Sequence, residues 1–579
     1  MKLLNSSKVV LFIILFLASV FNVQAEEEVD IWKKNKQNLP NKPNTEKKLD
    51  DSNIYKANLK KNLNQQIQIQ EEKFKEFEQA KLYGLYDPGE NNFTINMWGN
   101  TDAEEFTNII KRINKLDLSR SAEEIFIKTI FSNSYKPEKL SEEMFANIKI
   151  NWLIDNNKED LIEEFLKLNG EFISKDRLIQ YLVDRNIAKA NIPDACKKVS
   201  FIDVKIKDPY LEKFKIYCLV FANKINEAQL QYDLLKEQKL SNEFFDDKIN
   251  YLLGLKEKDS GKVLDNNLLN FYLSSITVEN FNYEPNDKTK RPIWDYLNAS
   301  NLIKVENTED VKKITDLEKA ANANKFDKNQ IFEIYKQFKF DLNTLITANS
   351  AYRSLPGLNA RALIYQKYLL AENTSSQLSY LFLLKDLFKK DKLSNVYSKF
   401  LSNKLENIKD KDIPEEYKEI VAKNIVKEKE YQEGKIKFND KILHRSKVLK
   451  YFLEDDYSKS KAAKDLKVVY KKIKKNKNYF FSAKDLAIVE SLKKDGVKVS
   501  EDINFKKFAE RYSVPKNLID LANKNQKGYL ALKIVEIIGE DEVKNLDSET
   551  IYFITNLLNQ VNLYQIRNTI IASALPLRV

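Results

Sequence analysis

Residues 208–238 read DPYLEKFKIYCLVFANKINEAQLQYDLLKEQ. Phe214, Tyr217, Cys218 and Phe221 fall at helical spacing, so the first half predicts an amphipathic helix with an aromatic-rich apolar stripe. Asn223-Lys224 interrupts the pattern, and Ala228, Leu234 and Leu235 carry a second helix. A helix with one apolar face cannot bury that face alone, and stacking many such pairs is the simplest way to cover them all. The stretch predicts an all-α fold: an irregular helical-repeat array, or α-solenoid.

The same signals extend in both directions. Leu161, Ile162, Phe165, Leu166 and Leu168 repeat the one-faced stripe. Ile534, Val535, Ile537 and Ile538 form a helix core bracketed by Gly528 and Gly539, the second placed as a C-cap. Lys139-Leu140-Ser141 is echoed by Lys239-Leu240-Ser241, with Ser141 and Ser241 as N-caps and Leu140 and Leu240 stapling onto Phe145 and Phe245. Lys392-Leu393-Ser394-Asn395 repeats the cap without the staple. With 11 Gly and 12 Pro in 579 residues, the chain lacks the residues that hairpins, bulges and phosphate-cradling loops require.

Five segments follow. Residues 1–25 carry Lys2 and Lys8, an apolar run Val9–Phe21 and a small-x-small site at Val23-Gln24-Ala25, the pattern of a signal peptide cleaved after Ala25. The run is shorter than the ~20 residues of a membrane anchor. Residues 26–65 are polar and aliphatic-poor, a disordered tether. A first helical array spans 66–276, opening on a helix marked by Phe74 and Phe77 that Pro88 and Gly89 break. Residues 277–292 interrupt it, and a second array runs 293–579. An exported chain works without cytosolic nucleotides, and nucleic acid is excluded as a partner.

Cysteine and histidine usage narrows the chemistry. Cys196 and Cys218 are the only cysteines; in an oxidising compartment they pair into a disulfide, the alternative being two buried thiols. His444 is the only histidine, so multi-histidine zinc sites are impossible. Its neighbours in Lys441-Ile442-Leu443-His444-Arg445 offer no carboxylate to orient it. No catalytic, metal or cofactor-binding residue is assigned. Glu490-Ser491, tested as the acid of a glycan-cleaving site, is followed by Leu-Lys-Lys-Asp rather than a Gly- and Gln-rich cleft segment.

Charge supplies the one positive feature. Ninety-six basic against 85 acidic residues give +11 overall, a mixed surface. Locally, Lys467, Lys471, Lys472, Lys474, Lys475 and Lys477 cluster beside Tyr470, Tyr479, Phe480 and Phe481. One reading is a contact for an anionic membrane surface, acidic partner or glycan; the other is a solvated helix face followed by core aromatics.

Segment 208–238 resembles a tetratricopeptide helix pair in outline. Gly84-Leu85-Tyr86-Asp87-Pro88 with Met97-Trp98, the run Leu317–Tyr335, and Ala360-Arg361-Ala362-Leu363-Ile364-Tyr365-Gln366 resemble stretches of a group of secreted alphaproteobacterial proteins. The resemblance implies an all-helical exported protein of a Gram-negative envelope, hence a periplasmic one. It carries no activity and no functional residues. Read from the residues themselves, Asp87-Pro88-Gly89 is a turn, Trp98 a buried anchor, and Ala360–Gln366 a helix whose small residues admit a close neighbour. The expectation is a non-enzymatic binding or scaffolding protein whose partner is another envelope protein. The alternatives are a glycan-cleaving enzyme related to superhelical lytic transglycosylases, and a peripheral membrane protein using the lysine cluster.

Overall fold

In the structure, a computed structural model, the described residues are 82–578 apart from 204, 287, 304, 306–307, 426–433, 500–513 and 525. The expected signal peptide, the tether and the helix around Phe74 and Phe77 lie outside them. The described residues hold 26 α-helices. Their one sheet is an antiparallel pair, Ile436–Lys437 against Leu577–Arg578. The fold is the all-α helical array that the sequence predicts.

The pair at 208–238 shows why. Asp208 caps the helix Pro209–Phe221, accepting from the Leu211 N–H at 2.9 Å. Pro209 fills the first helical position, where a missing N–H is harmless. Asn223 then enters the left-handed region (φ 58°), and the Lys224 N–H reaches back to the Leu219 carbonyl at 2.8 Å. That bond closes the helix end, and Ile225–Glu237 starts at once.

The same closure occurs at Asn157, where Lys158 N–H donates to Leu153 O (3.0 Å), and at Ala190, where Asn191 N–H donates to Asn186 O (2.9 Å). These turns join Glu142–Asp155 to Glu159–Leu168 and Lys175–Ala188 to Ile192–Lys197. Asn157, Ala190 and Asn223 are equally spaced along the chain, close to the ~34-residue period of tetratricopeptide pairs. The first helices of the pairs start at Glu142, Lys175 and Pro209 at nearly the same spacing, so the repeat shows in the turns and in these helix starts alike. Asparagine tolerates the left-handed region because its short amide bonds locally, so a glycine-poor chain still makes short links.

The Lys-Leu-Ser echo divides on inspection. Ser141 does cap Glu142–Asp155, accepting from Met144 N–H at 3.1 Å. In the second copy the cap is Asn242, which accepts from Phe245 N–H at 2.9 Å, while Ser241 donates to Asp246. In the third, Ser394 is already helical and no side chain caps the helix. What the three copies share is a left-handed lysine: Lys139, Lys239 and Lys392 have φ of 60°, 58° and 60°. At Lys239 and Lys392 that residue closes the preceding helix, which displaces the next cap.

Apolar side chains gather into two main cores. One takes in residues from Tyr83 to Leu297 and resumes from Leu443 to Leu575. The other spans Trp294 to Val421. This partition cuts across arrays divided at 277–292, because the last helices return to the first. Lys527–Ile538 packs on Ala103–Ile113 and Arg120–Ile130. Trp98, 1% exposed, donates its indole N–H to Ser134 Oγ (3.0 Å). Its ring lies where a Cβ on Gly528 would meet it at 2.6 Å. Gly528 therefore lies inside the helix as the seat for Trp98, rather than bracketing it. Gly539 is the C-cap (φ 55°), and its carbonyl accepts from Ser119 N–H at 2.9 Å.

Candidate functional site

The helix Lys459–Lys474 starts at the Ser458 cap and turns Ala462, Leu466, Val469 and Ile473 inward. That spacing fixes the opposite face: Lys464, Lys467, Val468, Lys471, Lys472 and Lys474 are exposed, as are Lys475 and Lys477 beyond the helix end. Its one acid, Asp465, is half-buried and bonded to Lys447 (2.8 Å) and the Tyr457 hydroxyl. Of the six lysines singled out in the sequence, Lys472 reaches Asp440 at 3.0 Å. Among the described residues, no carboxylate lies within ion-pair distance of the other five. The negative end of the helix dipole favours cations in the last turn, which accounts for Lys471, Lys472 and Lys474 but not for Lys467 or Lys477.

The aromatics after this helix separate. Tyr479 donates to Asp485 Oδ2 at 2.9 Å, and Phe481 packs against the core. Phe480 between them is 76% exposed. Core aromatics describe the flanking pair and fail for Phe480.

His444 lies close by and does have a carboxylate: Asp485 Oδ1 is 2.8 Å from its Nδ1 and accepts its backbone N–H at 2.9 Å. The partner is remote in sequence, which corrects the expectation from local neighbours. Ser482 completes a Ser-His-Asp set, but its Oγ faces the same Nδ1 (3.4 Å) and also donates to Asp485 (3.1 Å). A catalytic base presents its other nitrogen to the nucleophile. Ser482 and Asp485 instead form the capping box of Ala483–Lys494. Burial pushes the Asp485 carboxyl up, yet the bonds from His444, Ser482 and Tyr479 prevail and hold it below the ordinary value.

Several other buried polar and charged groups are likewise held by the protein. Burial draws the Lys149 ammonium down to about 7, and its Nζ donates to Tyr83 O at 2.8 Å. Burial raises Asp184 to about 6, against the opposing Tyr210 hydroxyl bond. Arg361 binds Glu318 through Nε (3.0 Å) and Nη2 (2.6 Å), and also Tyr335 and Asp391. Arg567 grips Asp495 at 2.8 and 2.6 Å. Glu490 accepts from Tyr552 (3.2 Å) and Asn556 (3.0 Å). Cys196 and Cys218 are bonded, their Cα atoms 5.5 Å apart, clipping Ile192–Lys197 to Pro209–Phe221. Among the described residues, no group of three or more His, Cys, Asp or Glu is placed to hold a metal ion, and no helix is long and apolar enough to cross a membrane.

No protein-family profile, curated protein or solved structure matches the chain.

Proposed function

We propose that this is an exported binding or scaffolding protein of the bacterial envelope. Its contact is the solvent face of Lys459–Lys474, continued by Lys475, Lys477 and Phe480. One observation carries this reading. Buried charges such as Arg361 and Arg567 are chelated by carboxylates, whereas five neighbouring lysines face solvent without one, and the segment that follows them carries Phe480, 76% exposed. Surface patches of one charge sign recruit partners of the other. The first 25 residues, with their basic start and apolar run, support export. Glycan cleavage draws no support from Glu490, whose oxygens tie Ala483–Lys494 to Ser548–Gln560.

In-cell photocrosslinking tests the proposal. A crosslinker replacing Lys471 should give adducts that one replacing the equally solvent-facing Leu230 does not. Matching, non-specific patterns from the two positions would count against the contact.

A further inference from the structure

We infer that the partner of this face is an anionic phospholipid bilayer surface, with the helix lying along it and Phe480 entering the interface; the inference rests on the contact proposed above. Three features favour a membrane over an acidic protein. The cations are all lysines, point charges on flexible stems, without the rigid arginine fork that reads carboxylate geometry in protein interfaces. They run along the solvent face of a helix and onto its C-cap: Lys464, Lys467, Lys471 and Lys475 recur at three- and four-residue steps over roughly 16 Å. Apolar surface is interleaved with them, Val468 at 42% exposure and Phe480 at 76%. Lysines over headgroups and an aromatic side chain at the acyl boundary are the two components of interfacial binding, and each is weak without the other.

The charge is also graded along the axis. Glu454, Asp455 and Asp456 precede the helix and the lysines gather toward its end, so the C-terminal half and the following turn make the approach. Lys472, already engaged by Asp440, contributes less than its neighbours.

The test is sedimentation of the full chain with vesicles of phosphatidylglycerol mixed into phosphatidylcholine, against phosphatidylcholine alone, at low and high salt. Binding should require phosphatidylglycerol and fall steeply with salt. Lys467→Gln, Lys471→Gln and Lys475→Gln should each weaken it about fivefold, and Lys472→Gln less. In a Phe480→Trp chain, emission should shift to the blue on these vesicles and be quenched by lipids brominated in the acyl chain, beyond the response of the native tryptophans. Circular dichroism unchanged from wild type shows that each variant is folded. Equal binding to both vesicle types would overturn the inference, as would lysine variants that bind like wild type. So would a Phe480→Trp chain that sediments with the vesicles yet shows no emission change beyond that of the native tryptophans. If vesicles fail while the Lys471 crosslinker captures an envelope protein, the bilayer is excluded and the surface contact stands. Failure of both removes both.

Discussion

Arg361 and Lys471 are cations on helices of similar length, 14 and 16 residues, with opposite surroundings. Arg361 is 2% exposed, its guanidinium filled by Glu318, Tyr335 and Asp391. Lys471 stands in water with no carboxylate in reach among the described residues. Holding a charge in low dielectric requires that every partner be present, whereas a solvated charge costs the fold little wherever it stands. The first kind of site is constrained by folding; the second is free to serve an outside partner.

Substitutions graded by effect probe that contrast. The largest loss is expected from Arg361→Leu, which leaves Glu318 buried and unpaired: about 3–5 kcal/mol in urea unfolding, with Glu318→Leu/Arg361→Leu recovering much of it. If the double variant were no better than the single, buried-charge chelation would not be the cause. Opening the Cys196–Cys218 bond by Cys→Ser substitution should cost about 3 kcal/mol, because the unfolded chain regains the entropy of the closed loop. Gly528→Val places a side chain against Trp98 and should cost about 1–3 kcal/mol, with faster hydrogen exchange in Ala103–Ile113 and Lys527–Ile538.

Asp184 gives a pH-dependent effect. Its proton leaves near pH 6 in the fold and near pH ~4 in the unfolded chain, so the unfolded state binds fewer protons between those values. Stability should therefore fall as pH rises from about 4 to 6 and stay lower above. Asp184→Asn should be more stable than wild type at about pH 7 and close to it at about pH 4, as read by thermal scans at the two pH values.

The contrast also marks what the sequence makes legible. Helix class shows in 208–238 because a helix advertises its buried face locally, and the disulfide shows because two cysteines have one pairing. Partners distant along the chain leave no such trace. Nothing periodic near Trp98 names Gly528, and nothing around His444 names Asp485. The turn repeat stays hidden because Ala190 occupies the place that Asn157 and Asn223 hold in its neighbours. Phe480 reads as core because Tyr479-Phe480-Phe481 follows the helix end, where no period tells inward from outward. Arg361 is visible as part of a small-residue helix, but its burial depends on Glu318, Tyr335 and Asp391 from other segments.

The most direct measurement takes one chain, Lys467→Gln/Lys471→Gln/Lys475→Gln, through thermal unfolding and vesicle sedimentation side by side. The expected result is a Tm within about 2 °C of wild type, as for surface substitutions generally, together with loss of binding to phosphatidylglycerol vesicles. A large fall in Tm would show that these lysines hold the fold, and undiminished binding would show that they do not carry the contact.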